Sequence, residues 1–235
     1  TALTFAGGSF TYGEIDRWSD AIACDIIAAN APVDRPVAII AGSNVPLVPA
    51  AVAAVKAGHF YLTIDATDPD ERIALLLREA NAGLCIVGSP GDVSPALRDY
   101  PRVGIGQVPA TSTPPPPRAP NPFVNLVFTS GTTGKPKGIV SKQRGFVAAA
   151  LRPGSRFGDG PGERVMFRTL PGFTRANAIL GSLMSFSPTV RPGPITRLKI
   201  AGATPVERQT RSAILVHATA HSGVCDDGFQ SVASP

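Results

Sequence analysis

The hydrophobic positions in the first half of the chain follow two spacings in turn, and this alternation predicts strands interleaved with helices. Short continuous apolar runs bounded by polar or glycine residues predict buried strands. Apolar residues that recur every three or four positions predict the buried face of a helix. The apolar runs are 37–40, 60–64 and 84–87, and the helical faces lie within 15–29, 45–55 and 73–80. This order predicts an α/β fold with doubly wound, mostly parallel sheets and flanking helices.

Polar residues and a glycine mark where these helices begin and end. Thr11 and Glu14 have the spacing of a capping box, in which each side chain bonds the backbone N–H of the other. Asp68, followed by a proline, has the order of an N-cap and a first helical residue. Gly58 is expected to end the second helix, because glycine accepts the left-handed backbone common at that position. His59 follows this stop and is expected at the surface or at an element boundary.

The pattern changes where prolines accumulate. The run Pro114–Pro117 predicts a stiff polyproline connector. Beyond it, further strands are expected at 164–168, 196–202 and 213–216. We therefore divide the chain into a first α/β subdomain (1–108), the connector (109–122), an incomplete second α/β subdomain (123–185) and an irregular C-terminal tail (186–235). An internal deletion and a shifted reading frame are both open explanations of the tail.

Composition and charge argue against a membrane or nucleic-acid partner and favour an anionic ligand. The chain has 235 residues, of which 43% are hydrophobic, and no run is long enough to span a bilayer. Its start shows no signal-peptide pattern, so we expect a cytoplasmic protein without a membrane partner. Residues 1–122 carry 8 basic and 12 acidic side chains, whereas residues 123–235 carry 14 and 5. The basic half suits an anionic ligand, but its arginines lack the interleaved aromatics of a nucleic-acid site.

The cysteines and histidines give weaker signals. Cys24, Cys85 and Cys225 are widely spaced and imply no disulfide framework, which fits a reducing compartment. The first two fall in predicted elements and are expected to be small buried hydrophobes. His217 and His221 precede Cys225 at intervals of four, which on a helix would align three zinc ligands. A glycine in this stretch disfavours the helix, and we predict no metal-ligating residue.

The clearest chemistry lies between two apolar runs at residues 129–138. Glycines there let the backbone approach an anion, and exposed N–H groups form an anion-binding nest. Hydroxyls add donors and lysines add compact positive charge. The residues concerned are Thr129, Ser130, Gly131, Thr132, Thr133, Gly134, Lys135, Lys137 and Gly138. The order predicts a strand, a phosphate-binding loop and a second strand. It is not a Walker A motif, because a proline follows Lys135.

This segment closely resembles the signature of adenylate-forming enzymes, which comprise acyl-CoA synthetases, luciferases and the adenylation domains of peptide synthetases. The signature is aromatic-Thr-Ser-Gly-Ser/Thr-Thr-Gly-x-Pro-Lys-Gly, and every fixed position is met from Phe128 to Gly138. Residues 10–15 are similar to the family's Leu-Thr-Tyr-x-Glu-Leu segment. Residues 55–65 are similar to its Leu-Lys-Ala-Gly-x-x-Tyr-x-Pro-Leu-Asp segment, with Thr63 in place of proline.

The resemblance spans about residues 10–184 and implies a reaction. In this superfamily ATP, with Mg²⁺, activates a small carboxylic acid as an acyl-adenylate and releases pyrophosphate. Coenzyme A or the phosphopantetheine of a carrier protein then accepts the acyl group in many members. The resemblance implies that residues 129–134 and Gly138 contact the leaving phosphates and that Lys137 is the catalytic anchor at the phosphate end. Lys135 occupies a variable position of the signature and is a weaker candidate.

Other family motifs have no counterpart in the chain, which keeps alternatives open. No aromatic-Gly-x-x-Glu follows the loop, no Thr-Gly-Asp occurs, and 235 residues leave no room for the smaller C-terminal domain with its lysine. Thr174 stands where amino-acid-activating members carry an aspartate, which argues against an α-amino acid substrate. The leading hypothesis is an N-terminal portion of an adenylate-forming ligase. The alternatives are a truncated, inactive fragment that at most binds phosphate-rich ligands, and an adaptor whose Pro114–Pro117 run binds SH3-type domains.

Overall fold

The structure is a computed structural model that describes residues 2–5, 8–42, 46–88, 94–129 and 136–145, and four short strands farther along the chain. The helices are α1 (Tyr12–Ala28), α2 (Leu47–Lys56) and α3 (Asp70–Glu79), with one 3-10 turn at Pro95–Leu97. The strands are β1 (Leu3–Phe5), β2 (Gly8–Phe10), β3 (Val37–Ala41), β4 (Tyr61–Asp65), β5 (Leu84–Val87), β6 (Arg102–Gly104), β7 (Phe123–Thr129), β8 (Lys137–Lys142), β9 (Glu163–Phe167), β10 (Leu198–Lys199), β11 (Ile214–Ala218) and β12 (Gln230–Ser231).

Among these residues the main sheet has the strand order β12-β8-β7-β4-β3-β5-β6. Strands β3 to β7 run parallel to their neighbours, and β8 runs antiparallel to β7. Helices α1 and α2 cover one face, and α3 covers the other. The predicted doubly wound α/β fold is therefore confirmed.

The central strand β3 shows why its sequence is apolar throughout. Val37 and Ile39 pack in the cluster beneath α1 and α2, whereas Ala38 and Ile40 pack in the cluster beneath α3. A parallel strand covered on both faces has no solvent side, so its residues do not alternate with polar ones. Burying each large aliphatic side chain contributes about 1.5–3 kcal/mol of transfer free energy.

The start of α1 and the end of α2 follow the predictions. Glu14 N–H donates to Thr11 Oγ1 at 3.2 Å, and Thr11 N–H donates to Glu14 Oε2 at 2.7 Å. These bonds complete the capping box, and the backbone bond from Thr11 lowers the pKa of the Glu14 carboxyl. Gly58 has φ of 80°, a left-handed conformation that other residues adopt only with strain.

The N-cap predicted for α3, Asp68, lies one residue before the N-cap in the structure. The helix begins at Asp70, and Pro69 occupies the cap position without a side-chain cap bond. Asp68 instead pairs across one helical turn with Arg72, with 3.4 Å between Oδ2 and Nε. The proline ring, which fixes φ but brings no hydrogen-bonding side chain, therefore starts the helix by geometry alone.

His59 lies at an element boundary, between the end of α2 and the start of β4, which is one of its two predicted placements. The other placement, at the surface, is wrong, since only 3% of the residue is exposed. Its N–H donates to the backbone oxygen of Ala54, and its ring Nδ1 lies 3.3 Å from the Arg35 oxygen. The left-handed turn at Gly58 follows α2, and His59 lies between this turn and β4. Burial lowers the pKa of His59.

The predictions for the cysteines are confirmed in part. Cys85 in β5 is fully buried, and burial raises the pKa of its thiol to about 12. Cys24 in α1 is only half-buried, and its Sγ lies 3.8 Å from the Thr113 oxygen. Cys225 lies outside the described residues.

A strap, defined as residues 105–122, joins β6 to β7 and crosses the α1 side of the sheet. The Trp18 indole N–H donates to the Gly106 oxygen at 2.9 Å near its start. Asn121 Nδ2 donates to the oxygens of Val33 and Gly58 near its end, at 3.0 and 3.4 Å. Strands from both sides of the polyproline run thus belong to one sheet. The division into subdomains at 109–122 stays a prediction.

The later part of the chain contributes the strands that were predicted there. β9 pairs antiparallel with β11 and parallel with β10, and β11 pairs with the N-terminal strand β1. The second sheet has the order β10-β9-β11-β1-β2 within the described residues. Over the same described ranges, no helix combines the length and apolarity needed to cross a membrane.

Candidate functional site

The predicted phosphate-binding segment forms the connection between β7 and β8. Thr129 closes β7 and is paired with Lys137, the first residue of β8. Because β7 is parallel to β4 and β4 to β3, the connection leaves the sheet at the edge where the parallel strands have their carboxyl ends. Ligands of open α/β sheets bind outside this edge. The strand–loop–strand prediction is confirmed at both flanks.

Six of the predicted site residues fall inside the connection itself. They are Ser130, Gly131, Thr132, Thr133, Gly134 and Lys135, and they lie outside the described residues. The structure brings Thr129, Lys137 and Gly138 together at the base of the loop.

Thr129 and Lys137 are held face to face at this base. Thr129 is half-buried, and its Oγ1 donates to the backbone oxygen of Lys137 over 3.4 Å, at the long end for such a bond. The Lys137 side chain is exposed and forms no ion pair with any described residue. Its ammonium group is a compact positive charge at this edge of the sheet.

Gly138 has a packing role that the sequence interpretation missed. A Cβ atom on this residue would lie 3.1 Å from Leu126 Cδ1 and 3.5 Å from Phe128 Cε1. The first distance is tighter than ordinary van der Waals contact, so a side chain would push the neighbouring leucine. Glycine at this position therefore leaves room for the Leu126 side chain of the paired strand.

The hairpin of β7 and β8 has one polar and one apolar face. Directly paired residues share a face, and the pairs Asn125 with Ser141 and Thr129 with Lys137 fall on the same one. An aliphatic pair lies between them. The opposite face carries Leu126 and its neighbours, which join the apolar cluster beneath α3. The polar face is thus on the α1 side of the sheet.

Two polar residues near the hairpin were not predicted as site residues. Asp65 ends β4, the strand beside β7, and its Oδ1 accepts from the N–H and Oγ1 of Thr67 at 2.9 and 2.7 Å. Asn125 is fully buried in β7. The signal available for Asn125 was a lone amide within an otherwise apolar run.

The alternative zinc cluster loses its geometric basis. His217 lies in β11, paired with Arg164, so the spacing of four does not place it on a helical face with the later residues. His221, Cys225 and Thr174 lie outside the described residues. Within the part of the chain that the structure describes, no group of three metal-ligating side chains occurs.

Sequence comparison agrees with this geometry. The model of the family described as AMP-binding enzyme matches residues 1–187. Phosphinothricin tripeptide synthetase PhsC of Streptomyces viridochromogenes is 29% identical over 195 residues, which are 79% of this chain and 18% of that synthetase. Tyrocidine synthase 3 of Brevibacillus parabrevis is 29% identical over 178 residues, 70% of this chain and 3% of that protein. The chain thus spans a small part of these relatives.

Solved structures show the same fold. A malonyl-CoA ligase in a ternary product complex with methylmalonyl-CoA and AMP is 27% identical, with a TM-score of 0.61 over 77% of this chain and 37% of that one. The peptide-synthetase protein PA1221, which contains adenylation and PCP domains, is 24% identical, with a TM-score of 0.60 over 76% and 31%. The amide bond synthetase McbA from Marinactinospora thermotolerans has a TM-score of 0.64 over 86% and 42% at 20% identity.

Proposed function

Because this chain belongs to the AMP-binding enzyme family, we propose that it serves the ATP-dependent activation of a carboxylic acid as an acyl-adenylate. The observation that carries the proposal is the base of the β7–β8 connection. There the sheet presents Thr129 and an exposed Lys137 at its carboxyl edge, directly flanking the Gly/Thr-rich segment. Hydroxyls, backbone N–H groups and a solvated ammonium suit the polyphosphate of a nucleotide.

Formation of an acyl-adenylate requires the protein to neutralise the negative charge of the phosphates. In this reaction class an oxygen of the acid's carboxylate bonds to the α-phosphorus of ATP, the bond from that phosphorus to the α–β bridging oxygen breaks, and pyrophosphate leaves. A bound Mg²⁺ would screen the negative charge of the phosphates. The donors of residues 129–134 and Gly138 hold the leaving phosphates. The Lys137 ammonium stabilises the negative charge that gathers on them, and Lys135 adds a second, weaker charge.

We further propose a small carboxylic acid as substrate and a thiol as acceptor. The malonyl-CoA ligase neighbour holds a coenzyme A thioester, and PA1221 joins its adenylation domain to a carrier domain. Coenzyme A and a carrier-protein phosphopantetheine present the same terminal thiol. We therefore propose that the thiol of either one accepts the acyl group after adenylation.

Binding of ATP and of pyrophosphate to the purified chain tests the phosphate site. Lys137→Ala is expected to weaken both affinities about tenfold, because one charge-assisted contact is lost. Lys142→Ala is the matched control, since Lys142 is an exposed lysine at the opposite end of the same strand. It is expected to leave both affinities within about twofold. Equal effects of the two substitutions would contradict the phosphate site.

Catalysis is tested separately by ATP–pyrophosphate exchange with a panel of carboxylic acids. Exchange that requires an acid and falls with Lys137→Ala supports acid activation. Binding without exchange for any acid supports the alternative of a phosphate-binding fragment.

A further inference from the structure

The strap carries the polyproline run between β6 and β7, outside the helices and strands of the described residues. Proline fixes φ at about −65°, and a residue that precedes a proline is held in an extended conformation. One or both constraints apply to every residue from Thr113 to Pro122 except Arg118. Residues restricted in this way form a polyproline II helix, which has three residues per turn. Every third side chain therefore lies on the same edge of the helix.

One edge of this helix contacts the rest of the fold. Ser112 Oγ donates to a carboxylate of α1 at 3.0 Å, and Pro115, three residues later, is half-buried. A Cβ atom on Gly58 would lie 3.2 Å from Arg118 Cβ, and Asn121 Nδ2 donates to the Gly58 oxygen at 3.4 Å. These four strap residues are spaced by three, as the helix geometry requires, and they form an inward edge.

The other two edges face solvent, and all their residues are exposed. The first consists of Pro114, Pro117 and Pro120, and the second of Thr113, Pro116, Ala119 and Pro122. Proline rings therefore stand in water in two adjacent rows. The side-chain hydrogen bonds of Ser112 and Asn121 hold the two ends of this stretch. A partner that binds these rows has little conformational entropy to remove, which favours binding.

We propose that residues 113–122 are a docking segment for a domain whose aromatic-lined groove recognises a polyproline II helix. A groove of this kind contacts two edges of the helix and leaves the third free, and here the third edge is the one held by the fold. Prolines 114, 117 and 120 repeat the Pro-x-x-Pro spacing twice. Arg118 is exposed and is the single charged residue of the segment, so the groove carries an acidic residue at its rim. The proposal does not depend on the nucleotide site.

Isothermal titration of the full chain with a panel of purified SH3 and WW domains tests the proposal. We expect saturable one-to-one binding to at least one domain of the panel. Pro117→Ala removes a ring from an outward edge and is expected to raise the Kd about tenfold. Pro115→Ala is the matched control, because it removes the same ring from the inward edge of the same run. It is expected to change the Kd less than about twofold.

Two results would overturn the proposal. The first is the absence of saturable binding to every domain of the panel. The second is an equal loss of affinity for Pro115→Ala and Pro117→Ala, because only the ring at 117 lies on an edge that a partner can reach. Should Pro117→Ala fail to fold, Pro114→Ala removes a ring from the same outward edge and replaces it in the comparison.

The charge of the segment gives a second test on the domain that binds. Arg118→Glu is expected to raise the Kd about fivefold more than Arg118→Gln, and this difference should shrink as salt is added. Equal Kd values for the two variants at low salt would contradict an acidic residue at the rim of the groove.

Discussion

Replacing Lys56 by methionine is expected to destabilise the fold, because it strands a buried carboxylate. Lys56, in the last turn of α2, donates from Nζ to Asp16 Oδ1 and to Asp20 Oδ1, each at 2.6 Å. The Asp20 side chain is only 9% exposed, whereas that of Asp16 is 69% exposed. Ser112 of the strap donates to the other Asp20 oxygen at 3.0 Å. This network joins α1, α2 and the strap.

The expected loss of stability depends on how buried the Asp20 carboxylate is and on which partners it keeps. Removing one partner of a buried ion pair costs about 3–5 kcal/mol. Two features reduce this here, since the Lys56 side chain is 25% exposed and Ser112 still bonds Asp20. We therefore expect Lys56→Met to cost about 2–3 kcal/mol. Asp16→Asn changes an exposed pair and should cost at most about 1 kcal/mol.

Urea denaturation at neutral pH, followed by far-ultraviolet circular dichroism, measures both variants. The midpoint should fall more for Lys56→Met than for Asp16→Asn, with the slope against urea unchanged. Adding Asp20→Asn to Lys56→Met should recover part of the loss, because the stranded charge is removed. A loss for Lys56→Met no greater than for Asp16→Asn would refute the assignment of a buried charge at Asp20.

Three further outcomes are expected. Thr11→Ala should lower the free energy of unfolding by about 1 kcal/mol in thermal unfolding, because it removes the cap of α1. Thr11→Ser keeps the hydroxyl and should be near neutral, which checks that the cap is the cause. Gly138→Ala should cost about 1–3 kcal/mol by crowding Leu126, whereas Gly106→Ala, where no atom lies within 4 Å, should be nearly silent; equal costs would argue against the crowding. His59 is buried with a lowered pKa, so stability should fall as pH drops below its ordinary value of 6.5, where the unfolded chain takes up the proton. Urea unfolding against pH should show this loss, and His59→Gln should flatten it; an unchanged slope would exclude His59 as its source.

The helices and strands of the first half were predictable because their determinants are local. Apolar runs and helical spacing set β3, β5 and α1, and the capping box set where α1 begins. Each of these signals involves residues close in sequence. The base of the candidate site was equally visible, since the glycines, hydroxyls and lysines that suit an anion are consecutive.

Residue roles that depend on packing were not predictable in the same way. The Asp68 prediction failed because the proline after it started the helix without a side-chain cap. His59 lies at the predicted element boundary, but its burial was not predictable, because a turn signal does not tell which side of the next residue becomes covered. Gly138 was interpreted through ligand binding alone, although the closest atom to its missing side chain belongs to Leu126 on the paired strand.

By itself the sequence determined the fold class and the superfamily, and it predicted a segment that suits a phosphate. Tertiary structure decided which distant residues became neighbours, because parallel strands pair only after long intervening segments have folded between them. That pairing places Tyr61 beside Asn125 and carries the strap over α1 to Asp20. It also puts the β7–β8 connection at the carboxyl edge of the sheet, since strand direction at that edge is a property of the assembled sheet and not of any single segment.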